Sequence, residues 1–370
     1  MLIISLTCVS IWLGLVLIPS RPWSTRERIG AAPNKLDLNP IEVTALIPAR
    51  NEEAHIKNLV DKLAHSNLFK HIIVVNDEST DNTLGELRAV KAGNVTIVDG
   101  SAPPEGWVGK VWALHQGSVE IQTQFTLLID ADIEFDEATL QSIFKKTYSE
   151  KLQLTSVMAL LKIESSWDKL MIPAFIYFFK SLYPFNLSNN KKYQTVAAAA
   201  GGFILIETSA LWNIGGFNSL KNALIDDCTL AKLIKRNGGN TWIGLSKGIR
   251  TKRSYYNLLN IWSMVERTAF TQLNYSLTML FLCTFAIVLM FVVPIVGLIF
   301  FNGFIATISA ISILIMGFTY LPVVKYYELN TLNSFTLPLA SLLFLLMTWT
   351  SAIKYMTGRR SKWKGRIYKK

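Results

Sequence analysis

The chain has 370 residues, 51% of them hydrophobic, and a formal net charge of +11. It is too apolar for an ordinary soluble protein yet long enough for a full domain, which points to a globular domain attached to a membrane. Its three cysteines set no disulfide framework; Cys8 and Cys283 fall in expected spans, and Cys228 reads as a small packing residue.

Residues 2–18 form an apolar run close to the ~20 residues that span a bilayer. No basic start precedes it, and Pro19 and Arg21 follow where a cleaved signal would carry small residues, so 1–20 reads as a retained transmembrane anchor. Arg21, Arg26, Arg28 and Lys35 come next, which by the positive-inside rule places the following domain in the cytosol. Residues 21–40, with Pro22, Pro33 and Pro40 among polar residues, read as a linker. An alternation then begins, with strands over 41–47, 71–75, 95–98 and 125–129. Helices are expected over 53–65, 80–91, 109–121 and 136–149, the last capped by Asp136. This order predicts an α/β fold with a largely parallel sheet, whose ligands bind outside the carboxyl ends of the strands.

Polar clusters occupy those ends: Pro48-Ala49-Arg50-Asn51-Glu52, Asn76-Asp77-Glu78-Ser79-Thr80-Asp81 and Asp130-Ala131-Asp132. Two carboxylates one residue apart suit Mg²⁺ or Mn²⁺, which keep several waters and share their remaining positions with substrate phosphates. An acidic turn would explain one Asp-x-Asp alone, and Ser79 to Asp81 also fits a helix cap; three acidic clusters on one sheet edge favour a site. The loop Pro103-Pro104-Glu105-Gly106-Trp107-Val108-Gly109-Lys110 brings Lys110 to a helix start, where backbone N–H groups and an ammonium can face an anion. A surface turn with a solvated lysine is equally consistent.

A further strand is expected over 154–163. Residues 167–185 are strongly aromatic, interrupted by Pro173 and Pro184 and flanked by Asp168, Lys169 and Lys180: a poor span and a good interfacial helix, with a buried core helix as the alternative. The run Ala197-Ala198-Ala199-Ala200-Gly201-Gly202 permits close approach of a ligand to the backbone. Gly215-Gly216-Phe217 offers the same, or a turn between helices. Over 225–238, Asp226 or Asp227 caps a helix that Gly238 closes; capping needs one acid and leaves the other for chemistry. Residues 256–274 read as a helix bearing Arg267, a partner for a phosphate or for a neighbouring acid.

Apolar runs over 278–301, 304–324 and 335–353 make 276–354 a set of membrane segments. The tail 355–370 carries Arg359, Arg360, Lys362, Lys364, Arg366, Lys369 and Lys370 and no acid, a composition that meets anionic headgroups; no nucleic-acid recognition motif accompanies it. Three full crossings after a cytosolic domain would leave this tail outside, against the positive-inside rule. One segment is therefore expected to be re-entrant or interfacial, and Pro338 singles out 335–353.

The succession Ile-Pro-Ala-Arg-Asn-Glu (47–52), Val-Val-Asn-Asp-Glu-Ser-Thr-Asp (74–81), Gly-Lys (109–110), Asp-Ala-Asp (130–132), Gly-Gly-Phe (215–217) and Asp-Asp-Cys-Thr-Leu (226–230) resembles the family 2 glycosyltransferases of the GT-A fold. Pro-Pro-Glu-Gly-Trp-Val-Gly-Lys, Leu-Tyr-Pro-Phe and Ala-Leu-Ile-Asp-Asp-Cys are similar, more closely, to the bacterial hopanoid-biosynthesis-associated glycosyltransferases, which resemble ceramide glucosyltransferases. The resemblance implies a Rossmann-like GT-A domain over 41–275, between the N-terminal anchor and C-terminal transmembrane helices. Pro48, Ala49 and Glu52 would line a nucleoside pocket, and Asp77 would bind the base or ribose. Lys110 and Asp130 would lie at the donor, Asp132 would ligate Mg²⁺ or Mn²⁺, and Asp227 would be the general base. Gly201, Gly202, Gly216, Asp226 and Arg267 would line the sugar or acceptor pocket. Asn76 departs from the aspartate of many members. The Gln-x-x-Arg-Trp motif of processive members is absent, which argues for transfer of a single sugar.

The expected activity is an inverting, metal-dependent, non-processive transfer from a nucleotide-sugar donor to the hydroxyl of a lipid acceptor. It would occur at the cytosolic face of a bacterial inner membrane, with membrane lipids and no nucleic acid as partners. The alternatives are a polyprenyl-phosphate glycosyltransferase, with Lys191, Lys192 or Arg267 holding the acceptor phosphate, and a catalytically silent membrane scaffold of the same fold.

Overall fold

The structure is a computed structural model describing residues 1–31 and 42–358 and the backbone of two short strands, Lys362–Trp363 and Arg366–Ile367. Pro33 and Pro40 of the expected linker, and the side chains of the basic tail from Arg359 onward, lie outside the described residues. The chain divides into two units. One is globular, built from Glu27–Lys162 and Leu187–Ser254; the other gathers Met1–Arg26, Ile163–Asn186 and the chain from Tyr255 into the C-terminal helices.

The globular unit is built on one mixed sheet of β1 (Val43–Ala49), β2 (Phe69–Asn76), β3 (Val95–Asp99), β4 (Phe125–Ile129), β5 (Ile133–Phe135), β6 (Leu154–Leu160), β7 (Phe203–Glu207) and β8 (Thr241–Thr251). Their order across the sheet is β3-β2-β1-β4-β7-β6-β8-β5. The β3-β2-β1-β4 half is parallel, as the strand–helix alternation predicts. Beyond β4 the sheet is mixed: β7 runs antiparallel to both β4 and β6 and β5 antiparallel to β8, while β6 and β8 are parallel, which keeps the sheet mostly parallel as expected. Strand residues are buried on both faces with period two. Ala45, Ile47, Leu127 and Ile129 pack with the helices Ile56–Ala64 and Glu137–Ser149, while Leu46, Ile73, Val75 and Leu128 pack with Gly109–Ser118 and Asp226–Arg236. The result is three layers, helices covering a sheet on both sides. Asp136 occupies the cap position of Glu137–Ser149 without a side-chain cap bond; its carboxylate turns instead to Arg250 at 3.0 Å. Within the expected linker, Glu27 and Ile29 exchange backbone hydrogen bonds with Leu245 and extend the sheet at β8.

The second unit contains three helices long and apolar enough to cross a membrane: Leu277–Phe300, Phe304–Tyr326 and Thr331–Met356. The N-terminal helix Leu2–Leu17 has 16 residues. At 1.5 Å per residue it reaches roughly 24 Å, short of a hydrocarbon core of about 30 Å. A π-helical turn, Val288–Val292, interrupts the first of the three long helices just before Pro294. Proline has no N–H to offer the carbonyl four residues back, so Met290 loses its helical donor. The Trp12 indole supplies one, with Nε1 donating to the Met290 oxygen at 3.0 Å.

The last helix, Leu337–Met356, lies antiparallel to the start of the first. Tyr355 stacks on Tyr275 with ring centroids 4.3 Å apart, Trp349 Nε1 donates to Thr284 Oγ1 at 3.0 Å, and Lys354 pairs with Glu266. Pro338 falls in the first turn of this helix, where no N–H is needed, so the helix runs on past it. The aromatic stretch around 167–185 forms the helix Ser166–Leu182, opened by a capping box between Ser165 and Asp168. It packs within this unit through Tyr177, whose hydroxyl meets Thr319 Oγ1 at 3.1 Å, and through Phe178 against Phe291 and Phe344. Residues 163–186 and 255–275 therefore belong with the apolar helices rather than with the globular domain that the sequence reading drew to 275.

Candidate active site

The turns leaving β1 and β2 are laced to each other. Arg50 Nη1 donates to the Asp77 carbonyl at 2.6 Å, the Asn51 amide to Ser79 Oγ at 3.1 Å, and the Thr80 amide to Asn51 Oδ1 at 2.8 Å. Asn51 and Glu78 both take left-handed backbone angles, φ 52 and 49, which the reciprocal bonds hold in place. Asp81 is used structurally, accepting from the Thr83 amide at 3.0 Å and the Glu53 amide at 3.2 Å. Glu52 is 7% exposed and Asp77 1% exposed, so both lie inside this knot rather than on its rim.

The β4–β5 turn carries Asp130 and Asp132, and each meets a cation. Lys110, in the first turn of Gly109–Ser118, places Nζ 2.7 Å from Asp130 Oδ1 and donates to the Gly201 carbonyl at 3.2 Å. Burial alone would push this ammonium down, but the carboxylates of Asp130, Asp226 and Asp227 outweigh it and hold it well above the usual lysine range. Lys110 is thus not a solvated surface lysine; the anions it faces are these carboxylates. Asp132 is approached by Arg253, whose Nε lies 3.4 Å from Oδ2, and the same guanidinium binds Glu52 Oε1 and Oε2 at 3.0 and 3.2 Å. Sequence reasoning missed Arg253, because nothing local ties it to an acid 201 positions away.

Across the cleft, the helix Asp226–Arg236 is entered from Ile225, with no side-chain cap. Asp227 is turned to other uses: Oδ1 accepts the Cys228 amide at 2.7 Å and Oδ2 the Gly201 amide at 2.8 Å. Burial first, then the neighbouring charge of Asp226, pushes its carboxyl up to about 6, against the two amides and Lys110. A carboxyl so placed is ionised at neutral pH and is basic enough to take a proton. At Gly201 a Cβ would sit 3.2 Å from Asp227 Oδ2 and 3.3 Å from Lys110 Nζ, so only glycine leaves this part of the cleft open. Gly202 backs the same wall, its carbonyl accepting the Asp130 amide at 3.1 Å. Cys228 is buried with Sγ on the Ala199 carbonyl, a packing residue as expected.

One set of contacts runs from Asp227 through Gly201 and Lys110 to Asp130, and another from Asp132 through Arg253 to Glu52 in the knot that holds Asp77; the β4–β5 turn carries one acid of each set. Pro48 and Ala49 close β1 beside that knot, the Ala49 carbonyl accepting the Asp77 amide at 2.8 Å. Gly216 takes φ +62, and a Cβ on it would meet the Trp212 ring at 2.9 Å, so Gly215-Gly216 makes a tight turn; Phe217 beside it lines the same cavity as Lys110, Gly201 and Asp227. Arg267 follows the helix Leu258–Glu266 in the other unit.

Among the described residues no three of His, Cys, Asp and Glu cluster as a complete cation cage. One or two hard carboxylate oxygens on the β4–β5 turn do fit Mg²⁺ or Mn²⁺ completed by water and a substrate diphosphate.

Residues 44–215 match the profile of Glycosyl transferase family 2. A 130-residue stretch is 32% identical to the 4,4'-diaponeurosporenoate glycosyltransferase of Staphylococcus aureus strain bovine RF122 / ET3-1, covering 35% of this chain and 33% of that protein. The enzyme of the same name from strain USA300 matches to the same extent. The chain thus spans about a third of the length of these curated relatives. In three dimensions it is similar to the mannosyltransferase PcManGT from Pyrobaculum calidifontis, solved in complex with GDP-Man and Mn²⁺. That likeness has a TM-score of 0.56 at 15% identity and covers 96% of this chain and 99% of the other.

Proposed function

We propose that residues 44–215, which match the profile of Glycosyl transferase family 2 and share the fold of a GDP-mannose-bound mannosyltransferase, form a family 2 glycosyltransferase domain, and that the protein transfers one sugar from a nucleotide-sugar donor to a lipid acceptor, with inversion. The observation that carries this is the pair of charged clusters meeting at the β4–β5 turn, one with Asp227, whose carboxyl is pushed up to about 6, beside Lys110 and Asp130, and the other with Asp132 and Glu52 on Arg253.

In this reading Glu52 and Asp77 hold the nucleoside, while Lys110 and Asp130 face the donor. Asp132 would hold Mg²⁺ or Mn²⁺, which when bound supplies Lewis-acid neutralisation of the departing diphosphate. Gly201 leaves room for the sugar beside Asp227. The two amides on Asp227 fix its carboxylate so that it takes the proton of the incoming hydroxyl. A single in-line displacement inverts the anomeric centre, so an α-linked donor gives a β-linked product. Lys110, drawn to Asp130, Asp226 and Asp227, balances the negative charge that gathers as the diphosphate departs.

The lipid acceptor is supported by the membrane-length helices of the same chain and by a relative named for a carotenoid acid. An isoprenoid-type lipid is the acceptor class which that relative and the hopanoid-type motifs have in common. The domain then works at the cytosolic face of a bacterial inner membrane, since Arg21, Arg26 and Arg28 follow the first apolar helix. The relative's acceptor name marks a carboxylate, which favours a second reading in which the product is a glycosyl ester. Mild alkali separates the two, cleaving an ester and sparing a glycoside.

The primary test is a thermal-shift screen of the detergent-solubilised protein against UDP- and GDP-sugars with and without Mn²⁺, followed by transfer to a labelled lipid extract. Stabilisation by one donor class only when Mn²⁺ is present is expected. No stabilisation by any nucleotide sugar, or an anomerically retained product by NMR, would refute the reading.

A further inference from the structure

We propose that Arg253 is a resident cation that competes with the metal for Asp132 when the donor is absent and becomes a ligand of the donor's diphosphate once the metal is in place. The inference rests on the glycosyltransferase reading of the site and deepens it.

The geometry is asymmetric. Glu52 grips the guanidinium with both oxygens, through one nitrogen, at 3.0 and 3.2 Å, whereas Asp132 meets it through Nε at 3.4 Å. Glu52 is itself tethered, its amide accepted by Thr83 Oγ1 at 2.8 Å. The Asp132 backbone is fixed by the neighbouring Lys252 amide at 2.8 Å, so the acid and the arginine are held side by side. Both carboxylates are mostly buried, at 8% and 17% side-chain exposure, while the arginine retains 43%. Two buried acids facing one cleft repel, and the guanidinium between them relieves that repulsion.

A divalent cation arriving at Asp132 needs the Oδ2 lone pairs that Nε now faces. Two cations cannot share that carboxylate cheaply, so the weaker contact is the one to yield. Still anchored by Glu52, the freed edge of the guanidinium then faces the region where the cation's remaining ligands, the diphosphate oxygens, collect. A planar fork of N–H donors matches that anion. Metal alone therefore has to displace Arg253 without compensation, while metal with a nucleoside diphosphate gains a new partner for it. The two ligands should bind with positive coupling, and the coupling must be reciprocal.

The test is binding, not turnover. Mn²⁺ affinity of the full-length solubilised protein is measured by electron paramagnetic resonance with and without UDP or GDP, for wild type, Arg253→Gln and Arg253→Lys. Arg253→Gln is expected to bind Mn²⁺ alone about tenfold more tightly and the Mn²⁺–nucleoside diphosphate pair about tenfold more weakly, since one charge-assisted contact is exchanged for another. Arg253→Lys keeps the charge and loses the fork, and is expected to retain the exclusion of Mn²⁺ alone while failing to recover diphosphate affinity. Unchanged Mn²⁺ affinity in Arg253→Gln would overturn the proposal while leaving the donor site standing. Failure of the wild type to bind either nucleotide with Mn²⁺ would overturn both it and the functional reading.

Discussion

The acidic limb of the pH–rate profile offers the sharpest access to the site, because the group that sets it has an identified environment. Asp227 must be ionised to accept a proton, and burial followed by the charge of Asp226 pushes its carboxyl up to about 6. Activity is therefore present above that value and lost as pH falls through it, by about tenfold per unit, leaving roughly a tenth of the plateau in kcat/KM at pH 5. Replacing Asp226 by Asn removes the charge that raises Asp227, so the limb should move to lower pH and the variant should keep a larger fraction of its own plateau at pH 5. Replacing Lys110 by Met removes a charge that lowers Asp227, and the limb should move the other way. The assay is release of nucleoside diphosphate at subsaturating donor, with lipid extract in detergent micelles, from pH 4.5 to 8.5 at constant ionic strength. Position along the pH axis, not height, is the readout, so a general loss of activity does not obscure it. A limb that stays in place in both variants, or an Asp227→Asn enzyme within tenfold of wild type, would refute the assignment of Asp227 as base.

Three further outcomes are expected. Gly201→Ala puts a methyl 3.2 Å from Asp227 Oδ2 and 3.3 Å from Lys110 Nζ; kcat should fall by roughly 10- to 100-fold with little change in melting temperature if these are the groups the proposed transfer uses. Lys235, buried and donating to the carbonyls of Leu187, Ser188 and Val196 at 3.2, 2.6 and 2.7 Å, pins the segment that leads to Gly201. Lys235→Met leaves those carbonyls without their ammonium and should cost about 2–4 kcal/mol in chemical denaturation. Trp12→Phe removes the indole donor to the Met290 carbonyl and leaves it the long 3.8 Å contact from Cys8 Sγ; no water in a hydrocarbon layer can replace the indole, and the change should cost about 1–3 kcal/mol in thermal unfolding in detergent.

The first half of the sheet was legible because each strand there is a short apolar run ending in polar residues, with a helix between it and the next. β4, Phe125–Ile129, matches its expected bounds. The second half was not. β8 reads Thr-Trp-Ile-Gly-Leu-Ser-Lys-Gly-Ile-Arg-Thr, where glycines and a lysine obscure both alternation and continuity, yet it is mostly buried because β6 and β5 flank it. β7 is hidden behind the Ala-Gly run and becomes a strand by pairing with β4 and β6, a long-range effect that no local pattern carries. At the site, the strand-end acids and Lys110 were found by position along the chain. Whether Asp227 caps its helix could not be read from the chain; the structure turns one of its oxygens to the Gly201 amide instead. Arg253 was invisible for the same reason as β7.

The stacking of Tyr355 on Tyr275 and the pairing of Lys354 with Glu266 bear on where the last residues leave the bilayer. An odd number of complete traverses would separate these partners by the full thickness of the lipid. Since they touch, the chain must emerge from its final helix at the leaflet from which it entered the first. Gly358, the last residue of that stretch, then lies at the leaflet where Tyr275 leads into the first long helix. A cysteine introduced near the terminus should react with an impermeant maleimide in inside-out vesicles and stay protected in intact cells.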